Sequence, residues 1–459
     1  MLKLTNRNIE DLISKFKAKE QESFVNIDND LKPQQRKYEE RFLSFEGLPA
    51  YKQLKLQFKV AQNTGIKLPY FVEHDAMAKD VTNIAGKQYL NFSSYDYLGL
   101  NGDPRINAAV TEAANRYGTS AGASRLVAGE RPIHRKLEKA LAEHYGQEAA
   151  LAFVSGYATN VTTIATLFGS EDVIFVDKLA HNSLMTGALS SGAHRIVYPH
   201  NDISALKKLL SIHRDRYQRA LIVTEGIFSM DGNFAPLPEL IALKQEFGAF
   251  LMVDEAHALG VAGVNGFGSF EHFKIDPKEV DIWMGTLSKS LCSCGGYIAG
   301  SSVLIELLKY KASAFVYSVA LAPVLAAAAL ETLNLLHTEK HRVEKLQENC
   351  SFALQKAKEL NLNTGLAQGT AILPLIVGSS LQAVFLSNLI YEQGVCALPI
   401  IYPVVEEGAA RLRLFLSASH SHEEILRALT IIKECSKKAE LMEQDCIEHS
   451  KDSALGKEV

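Results

Sequence analysis

The sequence predicts an α/β protein in which a mostly parallel sheet, covered by helices on both faces, is followed by a smaller α+β domain. Three observations lead there. From about residue 103, short and almost uninterrupted apolar runs alternate with helix-length amphipathic segments, as strands buried on both faces read. Polar residues gather just after several of those runs, where an open α/β sheet builds its ligand crevice. After Tyr317 the pattern changes to long helical segments separated by a few apolar runs.

The whole-chain totals narrow the function. At 459 residues and 47% hydrophobic composition, the chain can bury a large core with one or two smaller units beside it. With 48 Lys+Arg against 52 Asp+Glu, it has no basic excess to neutralise a phosphate backbone, which argues against nucleic acid as a partner. The opening MLKLTNRNIEDLISKFKAKEQE is too charged for a secretory signal, and no apolar run is long enough to span a bilayer. The six cysteines lack zinc-type spacing, so no metal is expected and the thiols read as reduced, in a cytoplasmic protein. Cys292 and Cys294 read as small buried side chains packing a turn rather than as a redox or metal pair.

Taken in order, residues 1–45 form a charged arm, helical or partly disordered. Apolar residues return at helical spacing between Phe42 and Val60, and Gly65 to Pro69 carry the turn chemistry that stops a helix. A short strand near Gln88–Phe92 leads into the loop Ser93-Ser94-Tyr95-Asp96-Tyr97-Leu98-Gly99, which closes a segment spanning 46–102. The major domain, 103–325, holds the apolar runs Ala149–Val154, Val173–Val176, Arg195–Tyr198, Ala220–Thr224, Phe250–Val253, Ile282–Met284 and Tyr297–Ala299. The smaller domain, 326–445, has strands around Ile372–Val377 and Arg411–Leu416. Its last helix is announced by Ser421-His422-Glu423-Glu424, a capping box. The polar tail, 446–459, is expected to fray.

Candidate chemistry sits at the ends of the major-domain runs. Ser155-Gly156-Tyr157 turns a strand into a helix whose free amides suit a phosphate. His181 follows the second run, and Ser229 lies in Thr224–Gly232 after the fourth. Asp254 ends the fifth run, with His257 one helical turn later and able to face the same ligand. In GTLSKSLCSCGG, Lys289 is delivered between Ser288 and Ser290 on a strand-to-strand turn that begins at Thr286. A carboxylate for a ring nitrogen, an imidazole, a phosphate turn and a Schiff-base lysine are the parts that pyridoxal phosphate requires. The glycine-rich Gly263–Gly268 is a poor dinucleotide loop, because it does not open a helix directly after a strand.

The stretches TEGIFSMDGNFAPL, VDEAHALGVAG, GTLSKSLCSCGGYIAG and GAARLRLFLSASHSHEEI resemble the α-oxoamine synthases, which are fold-type I pyridoxal phosphate transferases. The resemblance spans about residues 88–435 in unbroken motif order. It implies decarboxylative condensation of an amino acid with an acyl thioester to give an α-amino ketone, with pyridoxal 5'-phosphate as cofactor. Lys289 would be the Schiff-base lysine, Asp254 the partner of the pyridine nitrogen, His257 that of the phenolic oxygen, and His181 the stacking ring. Ser155, Gly156, Tyr157, Thr286 and Ser288 would hold the phosphate, and Ser229 would lie near the cofactor oxygen. Arg413 would bind the substrate carboxylate with Tyr95 at the substrate mouth, and Ser318 would reach the phosphate of a second subunit in a homodimer. Tyr95 and Cys292 depart from the commonest residues at their positions and resemble members that serve carrier-protein assembly lines. The resemblance implies acyl-CoA or a separate acyl carrier protein as the donor. An aminotransferase or decarboxylase on the same fold and a catalytically silent subunit are the alternative readings.

Overall fold

The computed structural model describes Glu39 and residues 42–63 and 66–455; most of the charged arm expected over 1–45 lies outside the described residues. The described residues up to Asn63 and those from Ile66 onward belong to two compact units. In the first, the single helix expected over 42–60 is divided: a 3-10 turn at Phe45–Gly47 precedes a helix at Pro49–Asn63. Proline at a first helical position starts a helix but cannot continue one, so Pro49 sets the break.

The second unit opens with β1 (Val81–Ile84) and β2 (Lys87–Asn91), an antiparallel pair. Then follow β3 (Ala149–Phe153), β4 (Val173–Asp177), β5 (His194–Tyr198), β6 (Ala220–Glu225), β7 (Phe250–Asp254), β8 (Ile282–Thr286) and β9 (Gly296–Gly300). These seven form one sheet in the order β3-β9-β8-β7-β6-β4-β5, and every run expected from sequence is in it. Only β9 runs against its neighbours, β3 and β8; the remaining contacts are parallel. All residues of β4 and β6 are buried, and each Val, Leu, Ile or Phe taken from water there contributes about 1.5–3 kcal/mol.

Below the crevice the core is aromatic. Trp283 of β8 is fully buried, stacks on Tyr145 at 5.4 Å and donates its indole N–H to Pro277 O at 2.8 Å. The Tyr145 and Tyr297 hydroxyls share a hydrogen bond of 2.8 Å. Tyr297 lies so close to Gly285 that a Cβ there would overlap its phenol, so β8 needs glycine one residue before its end.

The C-terminal strands are β10 (Ile372–Gly378), β11 (Val395–Cys396), β12 (Pro399–Ile400) and β13 (Ala410–Phe415). β10, β13 and β12 form an antiparallel sheet. β11 instead pairs with β2, so the segment before residue 103 shares a sheet with the C-terminal half. That pairing spans some 300 residues of sequence, and two-residue strands leave no periodic signal to reveal it. The capping box forms as expected: Ser421 N donates to Glu424 Oε2 at 2.8 Å and Glu424 N to Ser421 Oγ at 3.2 Å. The helix it starts, His422–Leu455, runs through most of the stretch expected to fray. Its polar residues allow helix as readily as coil once apolar positions such as Ile425, Leu429 and Ile432 anchor the earlier turns in the core.

Candidate active site

The carboxyl ends of β4, β6, β7 and β8 open on one side of the sheet, and the register keeps them level. Glu225 pairs with Asp254, and Asp254 with Met284. A cavity of about 250 Å³ lies there. Its lining unites Ser155, Gly156, Tyr157, His181, Asp254, His257, Thr286, Ser288 and Lys289, nine of the expected site residues.

Lys289 stands on the loop that joins β8 to β9. Leu287 N donates to Gly295 O and Ser293 N to Leu287 O, each at 2.9 Å, while Leu287 and Leu291 are fully buried beneath the turn. Thr286 Oγ1 donates to Gly295 O at 2.9 Å, closing the loop's base. Opposite, Ser155 caps the helix Gly156–Leu167 by accepting from Ala158 N at 3.3 Å. The first amides of such a helix have no intrahelical acceptor and favour an anion. A Cβ on Gly156 would lie 2.9 Å from Thr286 Oγ1, so the two walls approach as closely as glycine allows.

Asp254 is held from both sides, accepting from Ala256 N at 2.9 Å and from Asn160 Nδ2 at 2.8 Å. The same Asn160 amide nitrogen donates to Ser183 Oγ at 2.9 Å, and that hydroxyl lies 2.7 Å from His181 Nδ1. Since Ser183 N also donates to His181 Nδ1 at 3.3 Å, that nitrogen is an acceptor and the imidazole proton belongs on Nε2. His257 Nδ1 lies 2.8 Å from the Tyr97 hydroxyl. Residues 256–261 are turns rather than the helix expected after Asp254. His257 still reaches the cavity because Ala258 N and Leu259 N both fold back onto Glu255 O, at 2.9 and 3.1 Å.

Burial lowers the Lys289 ammonium to about 8; Arg413 adds to the shift, while Asp254 and Glu225 oppose it. Burial also lowers His181, against the opposing pull of Asp254, and drives His257 well below its usual value, with Lys289 and Arg413 adding repulsion at both. Both rings are therefore neutral near pH 7.

Arg413, on β13, reaches over from the smaller sheet. Its Nη1 donates to Ser229 O at 2.9 Å, its guanidinium stacks on Phe415 at 4.7 Å, and its buried Nε has no partner. Tyr95 stands between the two groups, its ring 5.7 Å from Lys289 Nζ and 4.7 Å from the Phe415 ring. A second cavity, about 740 Å³, shares His181 with the first and passes Ser229 and Arg411 towards Tyr402 and Val404. Ser318 lies in neither; it is half-buried beyond the short helix Ser313–Val316.

Comparison with known proteins fits this geometry. The aminotransferase class I and II family matches residues 87–432. The chain belongs to this family. Among curated relatives of this aminotransferase-family chain, 8-amino-7-oxononanoate synthase 1 of Bacillus velezensis is 40% identical over 359 residues, covering 78% of this chain and 91% of that one. Serine palmitoyltransferase of Sphingomonas wittichii superposes with a TM-score of 0.82 at 29% identity, over 86% of this chain and 99% of that one. A structure of SPT with PLP internal aldimine superposes with a TM-score of 0.81 at 26% identity, over 85% and 98%. The α-oxoamine synthase resemblance and the fold-type I architecture both stand, and pyridoxal phosphate is the cofactor of the group.

In this aminotransferase-family site, sequence reasoning missed the residues that act through others. Asn160 is five residues into its helix, where nothing in the local pattern marks it as the brace of a carboxylate 94 residues away. Tyr97 stands inside the quoted SSYDYLG loop, yet its hydroxyl partner His257 is 160 residues distant. Cys294 corrects the expectation of two buried thiols: it is exposed and lines the cavity. Cys292 is half-buried with a positive φ of 48°, its thiol 3.6 Å from Asp96 Oδ1, because the turn bends where glycine is the easier residue.

Proposed function

We propose that this protein joins an amino acid to an acyl thioester, releasing carbon dioxide and the thiol and giving an α-amino ketone, with pyridoxal phosphate bound in the 250 Å³ cavity. The observation that carries this reading is the convergence of Lys289, Asp254 and His257 on one small cavity with the half-paired Arg413 beside it. The relatives support it: an 8-amino-7-oxononanoate has its amino group on the carbon next to the ketone.

The residues suit the cofactor. Gly156 leaves room that a Cβ would fill, the first-turn amides with Ser155, Tyr157, Thr286 and Ser288 offer donors to a phosphate, and Asp254 is a braced acceptor for a protonated ring nitrogen. His181 would cover the ring, while Ser229 and His257 would border its oxygen. Bound there, the cofactor supplies an electron sink for charge developing at the amino acid's Cα. Lys289 would tether it and, once displaced by the amino acid, would hold at Nζ the proton taken from Cα. An amine near 8 is well matched to that exchange at neutral pH. Arg413 would present a planar fork to the carboxylate, with Tyr95 closing over it.

The reading extends to a homodimer in which Ser318 reaches the second subunit's phosphate, to a cytoplasmic location, and to 103–325 and 326–445 as the cofactor-holding and closing domains. No helix among the described residues is long and apolar enough to cross a membrane. The donor would be acyl-CoA or a separate acyl carrier protein.

The test is a screen of amino acids against acyl-CoA and acyl-carrier donors, with carbon dioxide and ketone measured. Thioester-dependent release of both is expected. Release without thioester, or amino transfer without release, would replace this reading with a decarboxylase or an aminotransferase. Lys289→Ala should fold and still dimerise but lose turnover to background, and borohydride should label the parent protein at Lys289 alone.

A further inference from the structure

The cavity holds a buried carboxyl group to which the reaction above gives no work. Glu225 ends β6 directly opposite Asp254 on β7, is almost fully buried and lines the same cavity. Its two oxygens differ. Oε2 accepts from Ser229 N at 3.2 Å, whereas Oε1 is buried with no hydrogen-bond partner.

An ionised carboxylate beside Asp254 would leave that oxygen desolvated, unpaired and next to a like charge. Asp254, by contrast, has a donor on each oxygen, from Ala256 N and Asn160 Nδ2. Two carboxyl groups in one small site, one braced and one not, divide into a charged and a neutral member. Since Oε2 is already an acceptor, the proton of a neutral Glu225 belongs on Oε1. The other charged groups around it are Lys289, and Arg413 through the Ser229 carbonyl.

We propose that Glu225 is a cofactor-touching residue of this site, a neutral carboxylic acid that donates from Oε1 to an acceptor oxygen of the bound pyridoxal phosphate. The proposal rests on the cofactor assignment made above. Burial first, and Asp254 second, also hold the Glu225 carboxyl well above the usual carboxylate range, against the opposing pull of Lys289 and of the His181 and Ser229 backbone amides.

The experiment compares holoenzyme with Glu225→Gln, which keeps a neutral donor of the same shape, and Glu225→Met, which keeps the length and removes the donor. Cofactor affinity and the pH midpoint of the visible cofactor band are measured, with thermal melting of each apoprotein. E225M is expected to bind pyridoxal phosphate about tenfold more weakly, and E225Q within about twofold of the parent, as loss and retention of one buried hydrogen bond require. E225Q should leave the pH midpoint unchanged, because no charge is removed. Parental affinity in a folded E225M would show that Oε1 touches nothing on the cofactor and would overturn the proposal. A midpoint lowered by about a unit in E225Q would overturn it too, since a carboxylate had then been supporting a cation. Should E225M fail to fold, the E225Q midpoint and affinity decide alone. Absence of any visible band in the parent protein would instead defeat the underlying cofactor assignment.

Discussion

Lys289 is held where an ammonium is poorly solvated, and that has a measurable signature without any substrate. Its folded-state value of about 8 lies below the ordinary 10.5. Between those values the unfolded chain binds more protons than the folded one, so apoprotein stability rises with pH from about 8 to 10.5. Lys289→Met should abolish that rise and stabilise the apoprotein at pH 7 by roughly 2 kcal/mol, a figure discounted for solvent in the cavity; urea unfolding across pH is the check. An unchanged pH slope would mean that the lysine is solvated after all. Arg413→Lys addresses the other cation. Losing the planar fork should raise the KM for the amino acid about tenfold or more while cofactor affinity is retained, and an unchanged KM would count against carboxylate binding. At this scale the sequence was informative about the groups that line the cavity, because Lys289, Asp254 and His257 sit at or just after recognisable strand ends. It was silent on Asn160 and Tyr97, whose importance is a distance and not a pattern.

The elements were legible in proportion to their length and regularity. β3 to β9 announce themselves as apolar runs, and the capping box at Ser421 fixes a helix start. β11 and β12, two residues each, exist only because partners are already in place. Gly285 shows how tightly β8 is fitted against β9. Gly285→Ala should destabilise the protein by about 2 kcal/mol or more, since the added methyl must displace the buried Tyr297 ring. A melting temperature equal to that of the parent would show that the aromatic layer can yield. The same displacement would disturb Thr286, one residue on, so weaker cofactor binding should accompany the loss.

At the scale of the whole molecule, the feature that calls for a partner is an apolar patch on two adjoining segments. Ala320 N donates to Ala123 O at 3.0 Å, bringing together Leu126, Val127, Tyr317 and Val319, all exposed, with Tyr317 87% and Val127 81% accessible. Clusters of this kind mark association surfaces. Ser318 sits between the exposed Tyr317 and Val319, so the homodimer proposed above is expected to use this face. The double substitution Val127→Asp with Tyr317→Asp should weaken dimerisation by at least about tenfold in analytical ultracentrifugation, and an unaltered dimer would place the interface elsewhere. Such a surface was invisible to reading along the chain, because an exposed apolar residue and a buried one have the same letter.

The reversal of β9 has a consequence for how the protein assembles. Because β9 returns beside β8, the lysine loop is closed by neighbours within a single hairpin, Leu287 to Gly295. Closing so short a loop carries a small entropic penalty, whereas bringing β3 to β9, or β13 over the crevice, must wait for far longer loops to close. The reactive turn can therefore take shape early in folding, before the groups that will surround its lysine arrive. In a pulse-labelling hydrogen-exchange experiment the amides of Leu287 and Ser293 are expected to be protected ahead of those in β10 and β13. Maturation would then proceed from a preformed lysine turn outward, with the arginine strand the last to close the site.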